Sequence, residues 1–167
     1  MCLTFSPDER LVAAGCQAGR VKLFDVETRT ALPDLQGYES GSGWAFSVGF
    51  SPDGNRLAAG NNFGVVRIWD VRSAQLVATL TGHPGDVPSL LFFPDGRRLA
   101  VASLGLIQLW DAELGQELIA LDSPGALDSP GEVVRYLAVT PDGQQLVSQH
   151  DNGRLKIWRS RPRGPRP

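Results

Sequence analysis

The chain has 167 residues, of which 42% are hydrophobic and 20% are charged, and its formal net charge is −2. These values are typical of a globular protein and argue against a disordered chain or a basic surface for nucleic acid. No apolar run approaches the roughly 20 residues that a membrane-spanning helix needs. We therefore expect no nucleic-acid partner and no membrane partner. Because this chain shows no signal peptide, the sequence predicts a cytoplasmic location.

Glycine and proline are abundant, with 19 and 12 residues, which indicates many short elements joined by tight turns. Four segments of the chain repeat one pattern, in which an aromatic residue follows a proline at a nearly constant distance. A repeat of fixed length with variable connectors indicates one supersecondary unit copied along the chain. The proline and aromatic pairs are Pro7 and Phe24, Pro52 and Trp69, Pro94 and Trp110, and Pro141 and Trp158.

The first unit predicts strands at Leu11–Gly15 and Val21–Asp25 and a weaker fourth strand over Ala31–Leu35. Pro33 has no N–H to donate, so this fourth strand must be the outermost one. Glu9 stands where the other units have a glycine after Pro-Asp. We therefore expect the first turn of this unit to be distorted.

The second unit shows the strand pattern most clearly. Apolar side chains alternate with small ones at Phe46, Val48 and Phe50, which is typical of a strand. A Pro-Asp-Gly hairpin turn follows, because proline presets φ, aspartate caps the turn and glycine accepts a positive φ. A second strand over Leu57–Gly60 and a fourth over Gln75–Leu80 complete the unit.

The third and fourth units repeat this order. Their second strands are predicted at Leu99–Ser103 and Leu146–Gln149, and unit three has a fourth strand over Gln116–Leu121. No fourth strand is predicted after Trp158. The pattern therefore predicts four strands in each of the first three units and three in the last.

Antiparallel sheets repeated in series predict the blades of a propeller. The Trp-Asp pairs at Trp69 and Trp110, with Thr81-Gly82-His83 before unit three, resemble the WD40 family. The resemblance covers Cys2 to Trp158. It implies an all-β, WD40-type β-propeller of four blades in an open or partial ring, the last blade lacking its outer strand. Blades are expected at 1–36, 37–81, 82–122 and 123–159, the last three with their preceding loops, and a flexible basic tail at 160–167.

WD40 blades commonly contain a buried, hydrogen-bonded set of histidine, serine or threonine, aspartate and tryptophan. No unit of this chain completes the set, since Leu104 stands near the aspartate position of unit three and unit four has no Gly-His pair before it. We therefore expect the blades to depend mainly on apolar packing. The members present are His83, Ser103 and Trp110 in unit three and Ser148, Asp151 and Trp158 in unit four.

The number of repeats leaves an open question about closure. WD40 propellers usually close with seven blades, so the outer faces of the first and fourth blades of this chain would be bare. One interpretation is a fragment of a longer protein with further repeats, which the lack of capping repeats favours. The other is a homodimer in which two copies meet in a closed eight-bladed ring.

The resemblance implies a protein–protein interaction scaffold that binds a protein or peptide partner through propeller-face loops, with no catalysis and no cofactor. One alternative is the sensing or regulatory portion of a larger signalling enzyme. A lactonase-type enzymatic or periplasmic propeller is another, but it would need polar residues converging on the central channel, and only Asp86 and Arg135 lie near strand starts. His83 and His150, alone in different units, predict no metal site.

In the WD40 family, partners usually dock on the face built by inter-blade loops and second-to-third strand turns. Tyr38 and Trp44 bracket a Gly/Ser-rich insertion there, and aromatic residues are favoured at interfaces. Trp44 would otherwise pack under its own loop. Phe63 stands where a turn aspartate is usual. The predicted partner-binding residues are Tyr38, Trp44, Asn61, Asn62, Phe63, His83, Arg135 and His150.

Overall fold

The computed structural model describes residues 2–17, 19–33, 35, 43–122 and 133–159. In these ranges the strands form four separate antiparallel sheets, which we call blades 1 to 4. Within each sheet the strands are neighbours in chain order, and the last sheet has three strands. The predicted all-β architecture is confirmed. Tyr38 and the tail at 160–167 lie outside the described residues.

The strand bounds are as follows. Blade 1 contains β1 (Cys2–Phe5), β2 (Leu11–Gly15), β3 (Val21–Asp25) and β4 (Thr30–Ala31), and blade 2 contains β5 (Ala45–Phe50), β6 (Arg56–Asn61), β7 (Val66–Asp70) and β8 (Leu76–Leu80). Blade 3 contains β9 (Ser89–Phe92), β10 (Arg98–Ser103), β11 (Leu106–Asp111) and β12 (Gln116–Asp122), and blade 4 contains β13 (Val134–Val139), β14 (Gln145–His150) and β15 (Leu155–Arg159).

The turn between the first two strands has the same geometry in every blade. In blade 2 the Gly54 N–H donates to the Ser51 carbonyl at 2.9 Å, and in blade 1 the Glu9 N–H donates to the Ser6 carbonyl at 2.9 Å. Glu9 adopts φ 60°, close to the 72° of Gly54. The predicted distortion of the first turn is therefore wrong, because Glu9 takes the left-handed conformation itself.

The outer strand of blade 1 is shorter than predicted. β4 covers only Thr30–Ala31, and beyond it Leu35 forms an isolated bridge with Val21. Pro33 lies between these two pairings. Because proline cannot donate to the ladder, it interrupts the strand that was predicted over Ala31–Leu35.

The blades pack face to face through three apolar cores. The core between blades 1 and 2 joins Val21 and Leu23 to Trp69, all at most 2% exposed. The next core places Ile68 with Trp110, and the third contains Trp158. Since side chains alternate along a strand, each third strand presents its aliphatic pair to the next blade and its aromatic residue to the previous one.

The two ends of the sheets differ in their loops. The Pro-Asp turns and the turns from third to fourth strand lie at one end, which we call the turn face. The second-to-third strand turns and the connectors between blades lie at the other, which we call the loop face. Antiparallel chain order alone imposes this division.

Candidate partner-binding surface

Trp44 lies on the loop face and joins the turns of two blades. Its backbone N–H donates to Asn62 Oδ1 at 2.8 Å, and the Asn62 N–H donates to the Trp44 carbonyl at 3.2 Å. Trp44 also forms a bridge with Gln17, in the corresponding turn of blade 1. Its side chain is nevertheless 46% exposed. The Trp44 backbone is thus held by hydrogen bonds while the indole remains accessible.

Phe63 lies at the tip of the blade 2 turn and is 61% exposed. Its ring lies against Gly43, where a Cβ would approach Phe63 Cε2 to 2.7 Å. Asn61 is buried beneath this turn, and its Oδ1 accepts the N–H groups of Phe63 and Val65, both at 2.9 Å. Asn61 therefore shapes the turn from inside, whereas Phe63 faces solvent beside Trp44.

Leu104 adds a third apolar side chain to the loop face. It is 48% exposed and adopts φ 36°, and Gly105 after it adopts φ 79°. A two-residue turn with both φ values positive strongly favours Asn-Gly, and leucine is strained there. The Leu104 side chain packs against Gly85 so closely that a Cβ at Gly85 would lie 2.6 Å from Leu104 Cδ1. Sequence reasoning missed Leu104 as a surface residue, although the Leu-Gly pair in a hairpin turn was a visible signal.

His83 is placed inside the structure rather than on its surface. It is 7% exposed, its Nδ1 lies 2.9 Å from the Gly64 carbonyl oxygen, and its ring centroid lies 5.4 Å from that of Trp110. Burial lowers the pKa of His83 below its ordinary value near 6.5. A buried neutral imidazole packed on a tryptophan stabilises the blade 2 to blade 3 connection. His83 is therefore not accessible to a partner at the surface where the sequence predicted it.

His150 is likewise inaccessible to a partner, because it is fully buried at 0% exposure. Its Nε2 lies 3.1 Å from Ser148 Oγ, which accepts the Trp158 Nε1–H at 3.0 Å. Blade 4 thus contains a His-Ser-Trp set in which the histidine comes from the second strand. The alternation of β14 places residues 148 and 150 on one face, so the proximity of His150 to Ser148 could have been predicted from the sequence.

A cleft of about 560 Å³ opens among the first strands of all four blades. Leu3, Val48, Leu90 and Tyr136 are among its lining residues, one from each of β1, β5, β9 and β13. Arg135 also lines the cleft, together with Asp86. Because the first strands begin at the loop face, Arg135 lies at the mouth of the cleft on that face. The cleft corresponds to the predicted central channel, open along one side.

The aspartates that follow the third-strand aromatic residue in the first three units accept hydrogen bonds within turns. Asp70 Oδ1 accepts the N–H and hydroxyl of Ser73 at 2.8 and 2.7 Å, and these bonds lower the pKa of Asp70. Asp25 and Asp111 accept backbone N–H groups in the same way. All three lie at the turn face. In the described part of the chain, no group of three or more His, Cys, Asp or Glu side chains could hold a metal ion.

The family comparison covers nearly the whole chain. Residues 1–161 match the family model described as "Nucleolar protein 10-like, N-terminal domain". The chain belongs to this β-propeller family. In the ranges that the structure describes, no helix is long and apolar enough to cross a membrane.

Curated relatives are WD-repeat proteins that match about half of this chain. The guanine nucleotide-binding protein subunit beta of Oryza sativa subsp. indica is 34% identical over 87 residues, which are 51% of this chain and 23% of that protein. Coronin-7 of Homo sapiens is 37% identical over 90 residues, 53% of this chain and 9% of that protein. WD repeat-containing protein 1 of Gallus gallus is 35% identical over 81 residues, 48% of this chain and 13% of that protein.

A solved structure, that of U3-55K, superposes on 95% of this chain with a TM-score of 0.81 at 20% sequence identity. At that identity the likeness shows the fold. The chain covers 48% of U3-55K and less than a quarter of the subunit beta sequence. It therefore spans less than half the length of either protein.

Proposed function

We propose that this chain is a protein-interaction scaffold whose loop face binds a protein or peptide partner. Its relatives are WD-repeat proteins of the interaction type, which supports this class of role. The observation that carries the proposal is the exposed pair Trp44 and Phe63 on one hydrogen-bonded frame. Large aromatic side chains held rigidly at a surface lose little entropy on binding and are favoured anchors.

Leu104 extends the proposed surface toward blade 3. Gly64, next to Phe63, contacts the 83–85 connector, and that connector contacts Leu104. A leucine that is both strained and half exposed lowers stability without filling a core, which favours a role in recognition. We define the docking patch as Trp44, Asn62, Phe63 and Leu104.

Arg135 and Asp86 line the cleft and are the charged residues of that lining. A partner that combines an apolar anchor for Trp44 with an acidic group for Arg135 would match both features. Opposite charges at an interface contribute mainly to specificity and to the association rate. Arg135 is therefore proposed as a specificity residue at the mouth of the cleft.

The proposal involves no catalytic step and no cofactor. The two alternatives from the sequence, a regulatory portion of a larger signalling enzyme and a lactonase-type propeller, stay predictions, because the chain spans only part of its relatives. The predicted cytoplasmic location gains no support from the family description, which names a nucleolar protein. Imaging of a fluorescently tagged chain in its native cells distinguishes the two compartments.

Selection of peptides from a random phage-displayed library on the immobilised chain tests the docking patch. We expect selected peptides to bind the wild type, and Trp44→Ala and Phe63→Ala to weaken their binding about tenfold or more in fluorescence anisotropy. Leu114→Ala is the matched control, because Leu114 is 60% exposed at the opposite end of blade 3. Equal affinity of the wild type and both aromatic variants would contradict the proposal.

A further inference from the structure

The turn of blade 1 that contains Arg20 is joined to the backbone that holds Trp44. The Gly19 N–H donates at 2.9 Å to the carbonyl of Gly43, the residue directly before Trp44. The Arg20 carbonyl accepts the Cys16 N–H at 2.8 Å, which closes the turn, and the Arg20 side chain is exposed. The structure therefore places a guanidinium group on the loop face, on the same hydrogen-bonded frame as the indole of Trp44.

The polar groups beside the aromatic pair are hydrogen-bond donors. Both salt bridges in the described part of the chain lie at the turn face, and neither includes Arg20. Asn62 accepts the Trp44 N–H through Oδ1 at 2.8 Å, so its Nδ2 group remains to donate. The Trp44 indole adds a further N–H. Because guanidinium, amide and indole N–H groups donate and do not accept, this part of the loop face favours a partner with acceptors.

The charge around the docking patch changes from one end to the other. Arg20 lies at the blade 1 end. At the blade 3 end, Leu104 packs against Gly85, and Asp86 is the next residue of that connector. Asp86 and Arg135 line the cleft together, so that lining contains one charge of each sign, whereas neither of the described salt bridges neutralises Arg20. The blade 1 end of the docking patch is therefore the end with a positive potential.

We propose that the partner at the docking patch is a peptide segment that combines apolar side chains with an acidic residue, an inference that rests on the proposed function. The apolar side chains pack on Trp44, Phe63 and Leu104, and the carboxylate forms an ion pair with Arg20. The Asn62 Nδ2 group donates to a backbone carbonyl of the segment. Acceptors are selected because an N–H group that a partner covers without a hydrogen bond loses its hydration at a cost in free energy.

The position of Asp86 determines where the acidic residue of the segment lies. An acidic residue beside Leu104 would meet a like charge, which is unfavourable at an interface, whereas one beside Trp44 meets Arg20. The segment therefore binds with its acidic residue over blade 1 and its apolar residues over blades 2 and 3. The apolar contacts supply most of the affinity, and the exposed ion pair supplies the preference for acidic segments.

Fluorescence anisotropy with three pools of labelled peptides tests the proposal. All pools share the same mixture of leucine, phenylalanine and tryptophan at their central positions. The flanking positions hold aspartate and glutamate in the acidic pool, asparagine and glutamine in the neutral pool, and lysine and arginine in the basic pool. We expect the wild type to bind the acidic pool about fivefold more tightly than the neutral pool, and the basic pool most weakly. Raising the salt concentration from about 50 to 300 mM should reduce this preference, because salt screens exposed charges.

Substitutions of Arg20 make the test specific to this residue. Arg20→Gln should bring the acidic and neutral pools to equal affinity, and Arg20→Glu should reverse the order of the acidic and basic pools. Arg72→Glu is the matched control, because Arg72 is exposed in the third-to-fourth strand turn of blade 2 at the turn face and its substitution changes the net charge equally. It should leave the affinity for each pool within about twofold of the wild type, since salt screens charges at that distance. Far-UV circular dichroism checks that each variant keeps its strands.

Phe63→Ala separates a failure of this inference from a failure of the proposed function. We expect it to weaken all three pools by a similar factor, because it removes apolar contact and leaves Arg20 in place. Equal affinity of the wild type for the three pools, with all of them weakened by Phe63→Ala, would overturn the acidic partner and leave the docking patch standing. Binding that Phe63→Ala leaves unchanged in every pool would overturn both. An acidic preference that survives Arg20→Glu would overturn the role of Arg20 and assign the preference to another cation of the loop face.

Discussion

Blades 3 and 4 contain the same three polar side chain types, a histidine, a serine and a tryptophan, but connect them differently. In blade 4, Ser148 Oγ joins the buried His150 to the Trp158 indole N–H. In blade 3, Ser103 Oγ instead exchanges hydrogen bonds with the N–H and carbonyl of Gly85, both at 3.1 Å. The serine thus links side chains in one blade and anchors a connector in the other.

The source of the histidine explains the difference. His83 enters blade 3 from the connector, and its ring packs on Trp110 while Nδ1 faces the Gly64 carbonyl. Trp110 Nε1 and His83 Nε2 have no hydrogen-bond partner among the described residues. His150 enters blade 4 from the second strand, two residues after Ser148, and lies on the same face. A polar set of the same composition is therefore better satisfied when the histidine and the serine share a strand.

The largest effect is expected from Ser148→Ala. This substitution leaves the Trp158 N–H and His150 without their shared partner, and we expect a loss of about 2–3 kcal/mol in the free energy of unfolding. Ser103→Ala is the matched control, since Ser103 and Ser148 are both 0% exposed. It should cost about 1 kcal/mol, because it removes hydrogen bonds to the backbone of one connector residue. Urea denaturation measures both, and equal losses would contradict the comparison.

Leu104→Asn is expected to have a smaller effect and to increase the stability of the fold. The change converts the Leu104-Gly105 turn to the favoured Asn-Gly pair. We expect the free energy of unfolding to rise by about 0.5–1 kcal/mol, because asparagine accepts a positive φ more readily than leucine. Thermal unfolding measures the gain. The same variant should weaken binding at the docking patch, and a loss of stability would argue that the Leu104 contact with Gly85 outweighs the strain.

The smallest effect is a difference in pH dependence. Because burial lowers the pKa of His83, the folded chain keeps this imidazole neutral at a pH where the unfolded chain takes up a proton. Its contribution to stability is therefore complete above a pH of about 6.5 and is lost as the pH falls toward the lowered pKa. We expect the Tm of the wild type to fall more between pH values of about 7.5 and 5.5 than that of His83→Gln. Parallel Tm curves for the two proteins would contradict this assignment.

Much of the fold could be predicted from local patterns. Alternation in segments such as Phe46–Phe50 and the repeated Pro-Asp turns located the strands of each blade to within a few residues. Glu9 shows the limit of this reasoning, because the chain tolerates a non-glycine residue at a positive φ where the surrounding hydrogen bonds determine the turn. Pro33 shows a second limit. The apolar pattern predicted a strand over Ala31–Leu35, but Pro33 has no N–H to donate to the ladder, and β4 ends at Ala31.

The candidate site was predicted less completely. Trp44 and Phe63 were identified as aromatic residues at expected loops, but nothing in the sequence showed that Asn62 would tie the two turns together. The roles of Asn61 and the two histidines also depended on burial, which placed all three beneath the surface that they were expected to form. Whether a polar side chain in a turn points inward depends on contacts with the neighbouring blade.

The sequence by itself determined the repeat, the strands, the turns and the two faces of every blade, because each of these depends on residues close together in the chain. Only the tertiary structure decided which turns meet at the loop face and how far each side chain is exposed. It also showed that Leu155, Ile157 and Phe24 remain open where their counterparts in blade 2 are buried. Exposure depends on what packs across a junction, and that contact joins residues far apart in sequence.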